Sequence, residues 1–553
     1  MKMKTQKITI LMMAGVLSLC MSMILATTAI AAEKYDLVIL NGRVMDPETM
    51  FDAVRNVGVK DGKIAIITKD KIKGKETINA KGHVVAPGFI DTHDHSMDKF
   101  AAKMGVRDGL TSGMDLEIGA LNIDKWYAEK KGNWPINYGV SVAQEFARDI
   151  VHDGLKIDGP VDATDMPKLR GEAAKDGVNG WADTPSNLEQ MNQITAIIDE
   201  NLRQGALGLG STVGYMRKGV TTYEQFEAQR AAARYGRLTL VHTRFHGTTK
   251  TPTEAAMGFA EVFTNAVLLK APLVIAHDND YGWWEHQEKL QMARDMGLNM
   301  WAEFYPYAAG STAIGSGFLQ PDNWLDVLGY KYEETIYDPT QDKFLSKDEF
   351  VEIVKTDPGR VIIAHVPPRK EWEPYWYAMP HMTIAGDNTF GVGEDGKLLP
   401  WDAKYTEYAG HPRTAASRGK VLRRAREQDI PLMFTLHQLT YWSAKHLGDA
   451  GIEAMKVRGR MQVGMVADIT IFDPDNVTDN ATYKQHEQGT PTTGIPYVIV
   501  NGQIVVKDSK VQDVWAGQPI RYQVEEKGRF VPASKKQWLN MHSIDFSPIK
   551  PRD

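Results

Sequence analysis

The two ends of this chain carry the same pattern of apolar residues. Residues 35–46 read YDLVILNGRVMD, which predicts a β strand that ends in an Asn-Gly turn. A second turn is predicted at Asp61-Gly62, between the runs VRNVGVK and KIAIIT. Residues 497–506 read YVIVNGQIVV and repeat the first segment as far as its Asn-Gly pair. We therefore predict that both ends join in one small β-sandwich domain, unless the likeness of the two segments is accidental.

The middle of the chain shows a different pattern, in which short β runs alternate with amphipathic helical stretches such as 221–236 and 283–297. The β runs are ALGLGS, LTLVHTR, LVIAHD, MWAEFYP, RVIIAHV and MTIAGD. Strand, helix and strand repeated in this order indicate an α/β fold whose parallel sheet is closed by crossovers. The length and spacing suit a (β/α)8 TIM-like barrel, and the less regular residues 310–360 and 366–410 are expected to cover a site.

These patterns divide the chain into five predicted segments. The first is a signal peptide, the barrel lies in the middle, and the small β domain is built from one segment on each side of the barrel. The predicted bounds are 1–32 for the signal peptide, 33–86 and 456–525 for the β domain, 87–455 for the barrel and 526–553 for a C-terminal extension.

The N-terminus has the features of a secretory signal. Three lysines precede an apolar stretch over residues 8–25, and Ala29-Ile30-Ala31 supplies the small residues of a cleavage site. We therefore expect a periplasmic or secreted protein that leaves the membrane after cleavage. An uncleaved anchor is the alternative, because the stretch approaches the roughly 20 residues that span a bilayer. A lipoprotein at Cys20 is disfavoured, since Leu19 is larger than the residue expected before a lipidated cysteine.

Composition limits the expected partners of the protein and the ligands that a metal site could use. Hydrophobic residues make up 43% and charged residues 24% of the 553 residues, which is typical of a globular protein. The formal net charge is -6 and no long basic run occurs, so nucleic acid is not an expected partner. Cys20 is the single cysteine and would leave with the signal peptide. A metal in the mature chain would therefore need histidine, carboxylate or modified lysine ligands.

The clearest candidate for such a site is the segment APGFIDTHDHSMD. It contains His93 and His95, and residues i and i+2 of a strand point to the same side. Both imidazoles would then enter the mouth of a barrel together and could bind one metal ion.

The motifs along the chain resemble those of the amidohydrolase superfamily and, within it, of the N-acyl-D-amino-acid deacylase (D-aminoacylase) group. The resemblance extends over nearly the whole mature chain and is strongest at the segments that follow. These are YDLVILNGRVMDP, VVAPGFIDTHDH, DGLTSGMDLEIG, GALGLGSTVGY, FYPYAAGST, AGDNTFG, HPRTAASRGKVLRR and RMQVGMVADITIFDPDNV.

The resemblance implies three further site residues. His242 and His277 match the positions of the two later metal histidines, although a histidine at a strand end can also be purely structural. Asp387 matches the aspartate at the end of the eighth strand, which binds a metal and accepts a proton from the attacking water. An Asp-Asn pair also suits a simple turn. His246 and His365 remain competing candidates.

The sequence departs from the group at one position. The cysteine that bridges two metals in the group corresponds here to Ile118. Glu117 is the best substitute, because it is adjacent and a carboxylate can span two cations, whereas Asp115 shares its strand face. Both acids could instead lie outside the metal shell. One or two Zn²⁺ ions, or another divalent metal, are therefore expected.

The resemblance also implies a substrate and a reaction. Arg413 matches the arginine that clamps the substrate's carboxylate, while Tyr305 and Ser311 match flanking polar positions. Arg413 could instead be a surface residue at a helix start. The implied enzyme hydrolyses the amide of small N-acyl-amino acids, of D configuration, by metal-activated water. Another amidohydrolase activity (cyclic amide hydrolase, dipeptidase or deaminase) and a non-catalytic barrel that binds a ligand or partner are the alternatives.

Overall fold

A computed structural model describes residues 35–173, 179–245, 248 and 250–542. The predicted signal peptide, His246 and the last part of the predicted C-terminal extension lie outside these residues. The strands are β1 (Tyr35–Asp46), β2 (Phe51–Lys60), β3 (Lys63–Thr68), β4 (Gly74–Asn79), β5 (Val84–Pro87), β6 (Phe89–Asp91), β7 (Leu110–Ala120), β8 (Asn137–Ala143), β9 (Gly208–Ser211), β10 (Leu238–Val241), β11 (Leu273–Ile275), β12 (Met300–Phe304), β13 (Ala309–Ala313), β14 (Ile336–Asp338), β15 (Lys343–Phe344), β16 (Val361–His365), β17 (Met382–Ile384), β18 (Ile469–Phe472), β19 (Tyr497–Val500), β20 (Gln503–Lys507) and β21 (Lys510–Val511).

The α-helices connect these strands. They are α1 (Lys99–Arg107), α2 (Ile123–Lys130), α3 (Gln144–His152), α4 (Met166–Ala173), α5 (Gly180–Asp183), α6 (Leu188–Arg203), α7 (Thr222–Arg234), α8 (Pro252–Leu269), α9 (Trp283–Asp295), α10 (Pro321–Trp324), α11 (Tyr332–Thr335), α12 (Lys347–Thr356), α13 (Arg369–Trp376), α14 (Arg413–Glu427), α15 (Leu432–Leu436), α16 (Trp442–Asp449), α17 (Glu453–Lys456) and α18 (Lys535–His542). Short 3-10 turns occupy Ala163–Asp165, Gly317–Leu319 and Tyr405–Glu407, and a π-helical turn occupies His437–Tyr441.

Eight parallel strands form the predicted barrel, in the order β17-β12-β11-β10-β9-β8-β7-β6. The first and last strands meet just beyond their ends, where Asp94 and Asn388 form a parallel bridge. The (β/α)8 class predicted from the alternating pattern is therefore confirmed. All four residues of β9 and of β10 are buried, as expected for strands covered by side chains inside and helices outside.

One predicted barrel strand belongs elsewhere. The run RVIIAHV forms β16, which pairs antiparallel with β13 in a separate sheet of order β13-β16-β14-β15. This sheet is inserted between the seventh and eighth barrel strands, β12 and β17, and has its own apolar core. Phe318 of the insertion contacts Tyr215, whose ring lies 4.9 Å from that of His242 between centroids. The insertion thus reaches the mouth of the barrel.

The two chain ends build a single nine-stranded sheet, which confirms the predicted separate β domain. β5 joins the two ends, because it pairs with β1 on one side and with β18 on the other. The segments 35–46 and 497–506 share this sheet without being neighbours. The sheet buries a common core of Leu37, Ile39, Val44, Val57, Val59, Ile64, Ile78, Val85, Ile469, Ile471 and Ile499, among others.

The three predicted turns have different outcomes. Asp61-Gly62 and Asn501-Gly502 are tight turns in which both residues have positive φ, as two-residue hairpins require. The turn predicted at Asn41-Gly42 is wrong, because β1 continues through it with a register shift. Here β1 changes its parallel partner from β4 to β5, and a Cβ on Gly42 would lie 2.3 Å from Val85 Cγ2. The glycine thus permits a close approach of strands rather than a reversal of the chain.

Among the described residues, no helix combines the length and apolar character that crossing a bilayer requires. The bounds of the five segments given above stay predictions.

Candidate active site

His93 and His95 follow directly after β6, at the end of the first barrel strand, and both are buried. Their Nε2 atoms lie 3.0 Å apart, as expected for alternate residues whose side chains leave a strand on the same side. Tetrahedral zinc ligands at normal bond lengths stand about 3.3 Å apart. The pair is therefore spaced to share one cation.

Glu117 lies on β7, the second barrel strand, and its two carboxylate oxygens face different histidines. Oε2 is 3.1 Å from His93 Nε2 and 3.3 Å from His95 Nε2. Oε1 is 3.0 Å from His242 Nδ1 and 3.2 Å from His277 Nε2. The carboxylate thus stands between two pairs of imidazoles with one oxygen toward each.

The remaining site residues follow the later barrel strands. His242 and His277 come just after β10 and β11, and their facing nitrogens are 2.9 Å apart. Asp387 follows β17, with Oδ1 3.5 Å from His93 Nε2. Both His277 (φ 32°) and Asp387 (φ 46°) have left-handed backbones, which non-glycine residues seldom adopt. Such conformations cluster at functional sites, because the surrounding fold must hold them in place.

Together these side chains form two groups, within the part of the chain that the structure describes, whose ligand atoms all lie within 4.8 Å of one another. The groups are His93, His95 and Asp387, and Glu117, His242 and His277. All six residues proposed from the sequence as metal ligands are therefore brought together, and Glu117 adjoins both groups.

The electrostatics of the site favour cations. Burial alone would lower the pKa of His93, but the three carboxylates around it outweigh burial and raise that pKa well above its usual value. For His95, Asp115 and Glu117 likewise overcome burial and raise the pKa to about 9. Burial would raise the pKa of Glu117, but the charge of His93 and the contacts with His242 and His277 hold it well below its usual range. This buried donor set of four imidazoles and two carboxylates fits one or two divalent ions.

Carboxylates also face the Nδ1 atoms of His93 and His95. Glu303 Oε1 lies 2.5 Å from His93 Nδ1, and Thr92 donates its hydroxyl to Glu303 Oε2 at 2.6 Å. Asp115 Oδ2 lies 3.0 Å from His95 Nδ1. Such partners fix the tautomer and orientation of metal-binding histidines. Asp115 thus supports a histidine, whereas Glu117 lies between the groups. Sequence reasoning missed Glu303, although an acid within the buried run MWAEF was a usable signal.

Known proteins are similar to this chain in sequence and in fold. No protein-family model matches the chain. A D-aminoacylase of Alcaligenes xylosoxydans xylosoxydans is 25% identical over 511 residues, covering 88% of this chain and 98% of the relative. This chain is a relative of D-aminoacylase. An N-acyl-D-glutamate deacylase of the same organism is 26% identical, covering 85% of this chain and 93% of that one. The resemblance to the D-aminoacylases seen in the sequence motifs is thereby confirmed.

Solved structures of D-aminoacylase-type enzymes share the fold. N-acyl-D-glutamate deacylase from Bordetella bronchiseptica, complexed with zinc and a phosphonate inhibitor, has a TM-score of 0.68 at 21% identity, covering 89% of this chain and all of that chain. A structure of D-aminoacylase described by its binuclear metal centre has a TM-score of 0.66 at 20% identity, with coverage of 88% and 100%. Both structures therefore share the fold of this chain.

Of the three residues expected to bind substrate, Arg413 and Tyr305 lie beside the metal-ligand groups and have partners of their own. Arg413, the first residue of α14, forms two contacts with Asp387, Nη1–Oδ2 at 2.7 Å and Nη2–Oδ1 at 3.0 Å. Tyr305 is buried, and its hydroxyl accepts a hydrogen bond from Arg369, which sequence reasoning missed. Ser311 lies on β13 of the insertion, and its buried Oγ has no hydrogen-bond partner among the described residues.

His365 belongs to neither metal-ligand group. It ends β16 in the inserted sheet, where its ring contacts Phe344 and Tyr483. Burial lowers the pKa of His365 to about 4, as expected for a neutral ring in an apolar environment. The other competitor, His246, lies outside the described residues.

Proposed function

We propose that this protein is a metal-dependent hydrolase that cleaves the amide bond of small N-acyl-D-amino acids. One observation carries the proposal: Glu117 directs one oxygen to each of two histidine pairs, in a chain that aligns with 98% of a D-aminoacylase. A barrel that had lost catalysis would be free to lose these ligands, whereas the described structure brings six of them together.

The metal ligands would be the two groups described above, with Glu117 as the bridge when two ions are bound. Zinc suits the imidazole and carboxylate donors, and the Bordetella relative is described as complexed with zinc. When bound, zinc supplies Lewis acidity, which activates water and polarises the scissile carbonyl. Where the group has a cysteine, Glu117 would offer carboxylate oxygens, which are harder donors than sulfur.

The chain's own residues perform the proton transfer. Asp387 accepts a proton from the attacking water and delivers it to the leaving amine. Arg413 orients this carboxylate through its two contacts. A guanidinium has five N–H donors, and Asp387 occupies two of them, so the others remain to bind the substrate's carboxylate. Tyr305 and Ser311 offer hydroxyls to the reacting amide and its acyl group.

A substrate panel tests this proposal. The zinc-supplemented protein is assayed against matched N-acetyl-D- and N-acetyl-L-amino acids, a hydantoin and a dipeptide. We expect amine release from the N-acetyl-D compounds and much slower release from their L counterparts. Turnover of the hydantoin alone would refute the deacylase proposal and indicate a cyclic amide hydrolase. Neither turnover nor bound metal would indicate a non-catalytic barrel.

We also propose that the protein is exported and works in the periplasm or outside the cell. The lysine-led apolar stretch of residues 1–32 and its Ala-x-Ala ending support this location. Cell fractionation with N-terminal sequencing of the mature protein tests it. A mature chain that begins near residue 32 in the periplasm or medium is expected, whereas an intact N-terminus in the membrane fraction would indicate an anchor.

A further inference from the structure

A buried arginine outside the metal-ligand groups contacts a predicted substrate-binding residue. Arg369 begins α13, in the long connection before the eighth barrel strand, and is 4% exposed. Its Nε donates to Asp280 Oδ1 at 2.7 Å, and its Nη1 donates to the hydroxyl oxygen of Tyr305. Arg369 therefore connects the loop after β11 to the residue that follows β12.

The direction of the second hydrogen bond determines where the phenolic hydrogen of Tyr305 can point. A guanidinium only donates, so the phenolic oxygen must accept from Arg369. Tyr305 has one hydroxyl hydrogen, and that hydrogen must be directed away from Arg369. Burial raises the pKa of Tyr305 above its usual value although the two neighbouring arginines oppose this, so the hydroxyl keeps its hydrogen at neutral pH.

Tyr305 is held beside the metal-ligand groups by several independent contacts. Its ring is 6.3 Å from that of His277 between centroids, and Arg413 Cζ lies 5.2 Å from the same ring. Asn279 fixes its backbone, donating to the carbonyl at 3.0 Å and accepting from the amide at 3.3 Å. A Cβ on Gly310 would lie 3.3 Å from the hydroxyl, so this side of the phenol is closely lined by backbone.

We propose that Arg369, held by Asp280, is a positioning residue that directs the hydroxyl hydrogen of Tyr305 toward the oxygen of the amide undergoing hydrolysis. This inference rests on the proposed amide hydrolysis and goes beyond it, because it assigns a role to a residue of the connecting segment that touches neither metal ligand nor substrate. A hydroxyl already aimed at the developing oxyanion needs no reorientation during the reaction, and such preorganised donors contribute strongly to rate.

Arg369 could instead serve only to anchor α13. Its ion pair with Asp280 would then stabilise the fold, and its contact with Tyr305 would be incidental. The two roles differ in one measurable respect. An anchoring arginine acts independently of the Tyr305 hydroxyl, whereas a positioning arginine has nothing to position once that hydroxyl is removed.

A double-mutant cycle separates these roles. Tyr305→Phe, Arg369→Met and the double variant are compared with the wild type in zinc-loaded form. Losing one oxyanion donor typically lowers kcat about 100-fold. We expect that loss for Tyr305→Phe, a roughly tenfold to 100-fold loss for Arg369→Met with KM little changed, and no additional loss in the double variant. Arg369→Lys, which keeps a donor and the charge, should recover part of the rate.

The matched control is Arg458→Met. Arg458 is 6% exposed and donates to Asp468 at 2.9 Å, so it is also a buried arginine paired with an aspartate. It also contacts Asn137 at the start of β8, at the opposite end of the barrel from the site. This variant should lower the melting temperature with little effect on kcat, and its effect should be additive with Tyr305→Phe.

The cycle uses whichever panel compound the wild type hydrolyses fastest. It can therefore still be measured if the deacylase proposal fails and another amide is the substrate. If no compound is hydrolysed, calorimetric binding of a phosphonate analogue of an N-acyl-D-amino acid to the four zinc-loaded proteins replaces kcat. Two results would overturn the inference and show that Arg369 only anchors α13. One is that the effects of Arg369→Met and Tyr305→Phe on kcat are additive. The other is that kcat is unchanged in folded Arg369→Lys and Arg369→Met.

Discussion

Glu303→Gln tests whether a residue missed by sequence reasoning controls one half of the metal centre. Glu303 is fully buried and accepts from His93 Nδ1 at 2.5 Å and from the Thr92 hydroxyl at 2.6 Å. A glutamine has the same shape and can still accept from the imidazole with its oxygen, while its amide nitrogen donates to the threonine oxygen. The substitution therefore removes mainly the negative charge behind His93.

The expected loss of zinc affinity follows from the hydrogen bond between Glu303 and His93. A hydrogen bond to a charged group contributes about 1.5–3 kcal/mol and a neutral one about 0.5–1.5 kcal/mol. The difference, about 1–1.5 kcal/mol, corresponds to roughly tenfold in zinc affinity. Outer partners of metal-binding histidines typically contribute 10- to 100-fold, so a loss of at least tenfold is expected.

The assay is competition for zinc between the metal-free protein and a chromophoric chelator. Glu303→Gln is introduced into two parent variants, each of which lacks a ligand from one of the two groups. With His242→Ala, only the group containing His93 and His95 remains complete, so Glu303→Gln should show its full effect. With His95→Ala, that group is already broken, so the remaining affinity should not change.

A matched control is Glu224→Gln, which alters another fully buried carboxylate. Glu224 lies in the first turn of α7 and accepts a hydrogen bond from Arg148 at 2.5 Å. It should affect stability and leave zinc affinity unchanged. The reasoning would be refuted if Glu303→Gln left the affinity unchanged in the His242→Ala background, or if it weakened zinc equally in both backgrounds.

Three further predictions concern other parts of the molecule. Gly214→Ala should weaken zinc binding and hydrolysis, because the new Cβ would lie 2.2 Å from His242 Cδ2. The control is Gly171→Ala, whose new Cβ would have no atom within 4 Å and which should leave both properties unchanged. Measuring the zinc bound per molecule of each variant checks this. Asp387→Asn should lower kcat by about 10²- to 10⁴-fold, because it removes the proton acceptor. Steady-state kinetics measure this loss, and an unchanged kcat in a folded variant would contradict the assignment. Burial raises the pKa of Asp149 from 3.8 to about 8, so the folded state holds its proton more tightly than the unfolded chain and loses stability as pH rises between these values. Asp149→Asn should therefore raise the melting temperature by an amount that grows up to about pH 8 and then levels off, and a pH-independent difference would refute this.

The fold class could be predicted from the sequence because it depends on local periodicity. Apolar runs such as LTLVHTR and LVIAHD form barrel strands β10 and β11, since each is short, β-rich and followed by a helical stretch. RVIIAHV has the same local pattern, yet it forms β16 in the inserted sheet. Its partner was decided by the antiparallel pairing with β13, which no property of the run itself specifies.

The site could be predicted only in part, for a similar reason. His93 and His95 share a strand face, and motif positions pointed to His242, His277 and Asp387. The pairing of Arg413 with Asp387 and that of Arg369 with Tyr305 join residues 26 and 64 positions apart. Side-chain partners at such separations depend on how loops converge at the barrel mouth, which a pattern along the chain does not encode.

The sequence by itself determined which residues could carry chemistry, because residue type, strand periodicity and motif position are local properties. It supplied the barrel, the shared β domain of the two ends and the six candidate metal ligands. Tertiary structure decided how they work together: Glu117 stands between two histidine pairs, and Glu303 supports His93 from 210 residues away. The physical reason is that parallel strands bring their ends to one rim only after the barrel has closed, and contact distances at that rim exist only in the folded chain.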